Sequence, residues 1–245
     1  MKGELIFGVN PVREALQGGR NAFHLYVQIS AADHRVEKII RLAGERGVPV
    51  HRREKADLTR MCGSSHHQGI ALEAEPFRYA DLEDVTAAAV TAEKVLLLVL
   101  DGIEDPHNLG ALIRSAACAG ALGVVIPRDR ACGVTAAVEK ASAGAVETLP
   151  VIQVTNISHT LEALKKHGFW VYGLDDEARS SLFATGFTGR VALVIGGEGE
   201  GIRPLVRKQC DQIISIPHFG GVSSLNASVA GGIAMFEVAR QLVKC

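Results

Sequence analysis

The 245-residue chain contains no C-x-x-C pair. Its five cysteines, Cys62, Cys118, Cys132, Cys210 and Cys245, are scattered and odd in number. That pattern argues against a disulfide framework or a zinc site and leads us to expect a reduced, cytoplasmic protein without a metal. Long hydrophobic runs are also missing. The best candidate, VLLLVL from Val95 to Leu100, is strand-sized and followed by an acid, so no membrane span is expected. The opening MKGELIFGVN has one lysine and no extended apolar stretch, so no export signal is expected either. Neither charge sign dominates, with 26 Lys+Arg against 27 Asp+Glu. A G-x-G-x-x-G fingerprint with an acid about 20 residues further on is absent, which sets aside a nicotinamide dehydrogenase. No histidine is spaced to activate a serine, so a Ser/His/Asp triad is not argued for.

What is present is a globular composition, 47% hydrophobic with 26 glycines, long enough for one large domain or two small ones. The charge is distributed unevenly. Residues 1–80 hold 12 Lys+Arg against 9 Asp+Glu and five histidines, a net of +3, whereas the remainder is net −4. A mildly basic front segment suits an anionic partner such as nucleic acid and equally suits an ordinary solvated surface.

The front segment, residues 1–76, alternates short strands and helices. Asn10-Pro11 reads as a cap followed by proline at the first helical position. FHLYVQI (Phe23 to Ile29) alternates like a strand. Asp33 opens a helix that places Val36, Ile39, Ile40 and Ala43 on one face. A short strand at Val48–His51, a helix at Lys55–Cys62 and a closing strand at Gly69–Glu75 complete a compact α/β unit. Residues 77–94 read as linker and entry helix. From 95 to 245 the pattern strengthens, with strands at Val95–Leu100, Gly123–Ile126, Thr148–Ile152, Phe169–Gly173, Val191–Ile195 and Gln212–Ile216. Helices fall between them at Leu109–Ala119, Thr135–Ala141, Ile157–Lys166 and Pro204–Gln209, and a last one runs from Leu225 to Val243. Solid apolar strands separated by helices predict a parallel sheet covered on both faces, with ligands at the strands' carboxyl ends.

Three loops at such ends carry polar residues that packing does not require. In LDGIEDPHNLGALIRSA (Leu100 to Ala116), Asn108 reads as a helix cap or a functional amide. Arg114 lies in a helix of otherwise small or apolar residues. It calls for a carboxylate, phosphate or carbonyl partner unless it sits on the exposed face. VIGGEGEGI (Val194 to Ile202) has its glycines in the wrong spacing for a pyrophosphate loop, and Glu198 and Glu200 would repel phosphate. The glycines suit close approach by a ligand that is not an anion. In ISIPHFGGVSSLNASVAGGIAMFE (Ile214 to Glu237), Ser224 or Asn226 caps the final helix. The small residues of that helix let it press against another backbone, within the chain or across a subunit interface.

DPHNLGALIRSA, LVIGGEGEGI and IPHFGGVSSLNASVA resemble, in order and spacing, the three signature motifs of the SpoU family, the S-adenosylmethionine-dependent RNA ribose 2′-O-methyltransferases of the SPOUT superfamily. FGVNPVREAL and HQGI in the front segment resemble the family's ribosomal-protein-like substrate-binding domain. The resemblance spans the whole chain and implies an α/β parallel-sheet catalytic domain with a C-terminal trefoil knot, preceded by a small α/β RNA-binding domain. It further implies a homodimer. The implied reaction is methyl transfer to a guanosine ribose in the peptidyl-transferase region of 23S rRNA. The same chemistry on tRNA or another rRNA site, and a non-catalytic ribosome-assembly factor, are the alternatives. By resemblance, Asn108, Arg114, Glu198, Ser224 and Asn226 serve substrate and catalysis, while Gly196, Gly197, Ile216 and Leu225 contact the cofactor. Arg13, Arg52, Arg53, Lys55, His67 and Gln68 are the candidate RNA-binding residues. Two positions depart from the motif: His218 stands where methionine is usual, and Ala227 where valine is common.

Overall fold

The computed structural model describes residues 3–29, 34–221 and 224–242. Asp33, read as the opening of a helix, lies outside the described residues, as do Ser223, Val243 and Cys245. In chain order the first elements are β1 (Glu4–Phe7), α1 (Val9–Gln17), β2 (Ala22–Gln28), α2 (His34–Glu45), β3 (Val50–Arg53), α3 (Lys55–Cys62) and β4 (Ile70–Ala74). They are followed by α4 (Leu82–Val90), β5 (Val95–Asp101), α5 (Pro106–Cys118), β6 (Gly123–Pro127) and α6 (Ala136–Ala141). The rest comprises β7 (Val151–Val154), α7 (Ile157–Lys166), β8 (Phe169–Leu174), β9 (Ser180–Ser181), β10 (Arg190–Gly196), α8 (Pro204–Arg207), β11 (Gln212–Ser215) and α9 (Ala227–Leu242).

Contacts divide the chain into two units. One is Met1–Arg78 together with Val134–Thr148, and the other is Tyr79–Gly133 with Leu149–Cys245. The segment Val134–Thr148, which the sequence places inside 95–245, thus belongs by its contacts to the front unit. In that unit β1, β4, β2 and β3 form a mixed sheet in that order, with only β2 and β3 parallel. Leu25 and Val27 alternate along β2 and point into a core shared with Val12, Leu16, Val36 and Ile39 of α1 and α2. Helix α1 starts two residues earlier than a cap at Asn10 implies. Gly8, at φ 101°, precedes it, and the side chain of Gln68 accepts from the Val9 N–H at 2.9 Å. Asn10 therefore lies inside the helix, because a side chain distant in sequence supplies the cap.

In the second unit the described strands form one all-parallel sheet, in the order β7-β6-β5-β10-β8-β11-β9. Every residue of β5 is buried, as expected for a strand covered on both faces. Helix α9 packs against α5 and against β5 and β10. At Gly231 a Cβ would sit 2.4 Å from Leu112 Cδ2, so this small residue serves packing within the chain. Val229, Ile233 and Phe236 recur at helical spacing on α9 and remain exposed. Among the described residues no helix is long and apolar enough to cross a membrane, and no group of three or more His, Cys, Asp or Glu side chains could hold a metal ion.

Candidate active site

The loops after β5 and β10 are locked together by backbone before any side chain acts. Gly197 N–H donates to the Asp101 carbonyl at 2.9 Å, and Gly201 N–H to the Gly197 carbonyl at 3.1 Å. A Cβ on Gly197 would lie 2.2 Å from the Gly102 carbonyl oxygen, and one on Gly196 would lie 2.1 Å from the Gly201 carbonyl carbon. The glycines thus allow two loops to meet at backbone distance. Asp101, only 1% exposed at the end of β5, accepts from Arg203 N at 2.8 Å and from Arg203 Nε at 2.7 Å, and also pairs with its Nη2. This ion pair closes the glycine loop onto β5. The sequence signal for it was an acid ending an otherwise solid apolar strand, with no marker for its partner.

The first helical turn of α5 also differs from the reading of Asn108 as a cap. Asp105 is the cap, accepting from His107 N and Asn108 N at 3.0 and 3.3 Å, and Pro106 takes the first helical position. Asn108, 7% exposed, is thereby free to point across the loops. Its Nδ2 donates to Glu198 Oε1 at 2.5 Å, Asn226 Nδ2 donates to the same oxygen at 3.0 Å, and Asn226 Nδ2 also reaches Asn108 Oδ1 at 3.0 Å. Asn226 caps α9 as well, with its Oδ1 accepting from Ser228 N and Val229 N. One residue from each of the three loops thus meets in a triangle. Ser224 is exposed and makes no hydrogen bond with this triangle among the described residues.

Arg114 is not drawn into the triangle. Six residues beyond Asn108 it lies roughly 9 Å further along α5 and about a third of a turn off its face. It is exposed, with no ion pair or hydrogen bond among the described residues. A cavity of about 600 Å³ adjoins the triangle, lined by Asp101, Glu104, Asp105, Asn108, Arg130, Gly197, Glu198, Glu200 and Arg203 among others. With Asp101 neutralised by Arg203, its lining holds four carboxylates against Arg130 alone. Such a surface repels phosphate and suits a cationic or donor-rich group. Of the expected cofactor contacts, Gly197 lines this cavity. Gly196 ends β10 and Ile216 follows β11, the two strands that flank β8. Leu225 precedes α9 and is 38% exposed. His218 places its Nε2 3.7 Å from Asp176 Oδ1, which gives it an electrostatic neighbour as well as a packing position.

Replacing Gly196 by alanine is expected to destabilise the second unit by about 1–3 kcal/mol through overpacking against backbone that cannot yield. Gly199 has nothing within 4 Å of its Cβ position but a φ of 92°. Alanine there should cost about 1 kcal/mol, through backbone strain alone. Thermal denaturation of the two variants side by side checks the order.

In the front unit His67 is 1% exposed. One ring nitrogen lies 3.2 Å from Thr59 Oγ1, and the other accepts from Gly69 N at 3.0 Å. Its side chain is enclosed in the front unit, with both ring nitrogens engaged there. Burial, then the nearby Lys55, lowers its pKa below the usual imidazole value, which keeps the ring neutral. Gln68 is exposed but spends its Oε1 on α1. Arg13 pairs with Glu14 at 2.6 Å, whereas Arg52, Arg53 and Lys55 are exposed around the end of β3.

The model of the SpoU rRNA Methylase family matches residues 95–236, and a model described as RNA 2′-O ribose methyltransferase substrate binding matches residues 5–80. Over 244 residues the chain is 42% identical to the 23S rRNA (guanosine-2′-O-)-methyltransferase RlmB of Xylella fastidiosa, covering 98% of this chain and 97% of that one. It is 41% identical over 239 residues to an uncharacterized tRNA/rRNA methyltransferase of Mycobacterium tuberculosis, covering 97% of this chain and 74% of the other. The fold matches the solved SpoU methyltransferase AviRb from Streptomyces viridochromogenes in complex with AdoMet. The TM-score is 0.82 at 24% identity, covering 97% of this chain and 89% of that one. The chain belongs to the SpoU rRNA methylase family.

Proposed function

We propose that the chain transfers a methyl group from S-adenosylmethionine to the ribose 2′-hydroxyl of a guanosine in 23S rRNA. The observation that carries this reading is the triangle of Asn108, Glu198 and Asn226, in which the three loops converge on one carboxylate. The surroundings fit the cofactor. The glycine loop is acidic and closes on its own backbone instead of opening a helix toward an anion, and the cofactor carries a positive sulfur and no phosphate. Gly196, Gly197, Ile216 and Leu225 would hold it through backbone atoms. When bound, S-adenosylmethionine supplies an electrophilic methyl group.

The chain's own task is alignment and management of one proton. Two amide groups fix Glu198 through its Oε1, and no described donor reaches its Oε2, which is left to orient the ribose. Ser224 sits between the third loop and α9, where its hydroxyl can join that arrangement. Arg114 clamps the adjacent phosphate and stabilises the developing alkoxide. A guanidinium is too weak an acid to serve as the base, which stays unassigned. Arg13, Arg52, Arg53 and Lys55 of the front unit hold the RNA backbone. The exposed stripe of Val229, Ile233 and Phe236 supports a homodimer through the catalytic unit. The same reading carries a C-terminal trefoil knot in the catalytic unit. The place of action is the cytoplasm, where rRNA is modified.

Incubation with methyl-labelled S-adenosylmethionine and transcripts of 23S rRNA and tRNA tests the reading, with alkali-resistant linkages mapped afterwards. Label is expected at a 23S rRNA guanosine. Label in tRNA alone redirects the substrate, and no incorporation into any RNA leaves the chain as a binding factor.

A further inference from the structure

The two faces of the front sheet are treated differently by the fold. One face is covered by α1 and α2 over Leu25 and Val27. On the other, α3 covers β1, β4 and part of β2, where Leu58 packs on Phe7 and Ala71 and Tyr26 leans on the edge of that cluster. The side formed by β2 and β3 keeps a layer of rings. Tyr26 pairs in register with His51, so the two project from the same face, and their rings stack at 5.5 Å with planes 29° apart. His24 lies two residues before Tyr26, and its Nδ1 is 3.1 Å from His51 Nε2. Arg53, two residues beyond His51, holds its guanidinium 5.7 Å from the centre of the Tyr26 ring. The Tyr26 hydroxyl donates to Glu73 at 2.8 Å, which fixes the ring. Arg52, Arg53 and Lys55 stand exposed at the rim.

A sheet face interior to a fold would not combine half-buried histidines with a stacked arginine, because their polar atoms and charge belong in water. A purely electrostatic patch would not need the rings. A stacked Tyr26–His51 pair with His24 edge-on to His51, beside the guanidinium of Arg53, matches the chemistry of an unpaired nucleotide, whose base offers a π-face and whose phosphates carry charge. Fully paired RNA hides its bases and gains nothing from such a layer. We propose that the face formed by His24, Tyr26, His51 and Arg53 is a stacking platform for unpaired bases of the substrate RNA. The proposal rests on the rRNA-methyltransferase reading and names the RNA element that the front unit grips, namely single-stranded loop nucleotides flanking the target.

The full chain is titrated with two RNAs, a peptidyl-transferase-loop fragment of 23S rRNA and a perfectly paired duplex of equal length. His51→Ala and Arg53→Ala are each expected to weaken loop binding by about 10-fold, the scale of one lost base stack. KM for the loop fragment should rise by a similar factor while kcat at saturating RNA and cofactor affinity stay unchanged. Arg53→Lys, which keeps the charge without the flat guanidinium, should lose a measurable part of that affinity. The melting temperature of each variant is measured alongside and should match that of the parent chain, which controls for disturbance of the sheet. Loop affinity unchanged in both alanine variants overturns the proposal. So does an equal loss on loop and duplex, which would reduce the face to a phosphate contact. A change in the RNA-free oligomeric state of His51→Ala with loop affinity intact would assign the face to a second copy, and also overturns it. A parent chain that methylates no rRNA defeats the functional reading, whereas a parent chain that methylates rRNA beside indifferent variants defeats only the platform.

Discussion

Replacement of Arg114 by alanine is expected to reduce methyl transfer by about 10²–10³-fold, the range for removing one preorganised donor from developing negative charge. Cofactor affinity should be unaffected, because none of the backbone atoms expected to hold S-adenosylmethionine belongs to α5. The structure makes this a clean test. Arg114 is exposed and has no ion pair or hydrogen bond among the described residues, so its loss breaks no internal contact. Stability should change by no more than about 0.5 kcal/mol, as for an ordinary surface substitution. An activity loss with an unchanged melting temperature therefore reports on the reaction and not on the fold. Arg114→Lys separates two roles. A point charge that suffices for the phosphate should recover RNA affinity, while loss of the planar fork leaves kcat depressed. Single-turnover assays with saturating RNA measure both, and full turnover in Arg114→Ala would remove this residue from the catalytic set.

The parts of this architecture that can be read along the chain are those in which one local pattern decides the outcome. Strands buried on both faces must be apolar throughout, so β5 and β10 announce themselves, and their spacing by helices implies a parallel sheet. Asn108, Glu198 and Asn226 stand out because their polarity has no packing purpose, and the structure joins all three. What could not be read depends on pairs distant in sequence. Asp101 and Arg203 are 102 residues apart, and although Asp101 stands out at the end of an apolar strand, nothing marks Arg203 as its partner until the loops are folded together. At the start of α5, Asp105 and Asn108 are both capable caps, and only the geometry shows that the aspartate caps while the amide is released to the site. His67 carries no local sign of burial, and only the folded unit brings Thr59 and Gly69 to its two ring nitrogens. The short strand read at Thr148–Ile152 begins at Val151, after a turn that belongs by its contacts to the other unit.

That other allegiance leads to the largest stability effect expected in the molecule. Arg20, with a side chain 7% exposed, places its Nη1 2.6 Å from Glu139 Oε1 and 2.8 Å from Glu147 Oε1, and its Nη2 2.8 Å from Glu4 Oε2. Its Nε donates to the Glu75 carbonyl at 2.8 Å. One guanidinium thus joins the segment Val134–Thr148 to the front sheet across 119 residues of sequence. Arg20→Ala leaves three carboxylates around an empty position and should cost about 3–5 kcal/mol, as expected when one partner of a buried ionic group is removed. Cutting the chain after residue 76 would not isolate the front unit cleanly, since Glu139 and Glu147 would lose the same partner. Three acids cannot all be satisfied by one base. Burial dominates at Glu139, outweighs the attraction of Arg20 and pushes its carboxyl up to about 7, and Glu147 is raised for the same reason. Glu139 is 1% exposed, and its Oε2 is buried without a hydrogen-bond partner among the described residues. The unfolded carboxyl titrates near 4.5, so the folded chain holds the extra proton between about pH 4.5 and 7. The stabilisation from this group is complete below pH 4.5 and is lost as the pH rises through 7, a decline of about 3 kcal/mol. Glu139→Gln keeps an acceptor for Arg20 and carries no charge. It should be at least as stable as the parent chain at pH 8, and denaturant titrations should show a smaller decline between pH 5 and 8 than the parent's, the remainder belonging to Glu147. A parent chain with no decline across that range, or a glutamine variant with the same decline, would show that Glu139 is ionised in the folded unit.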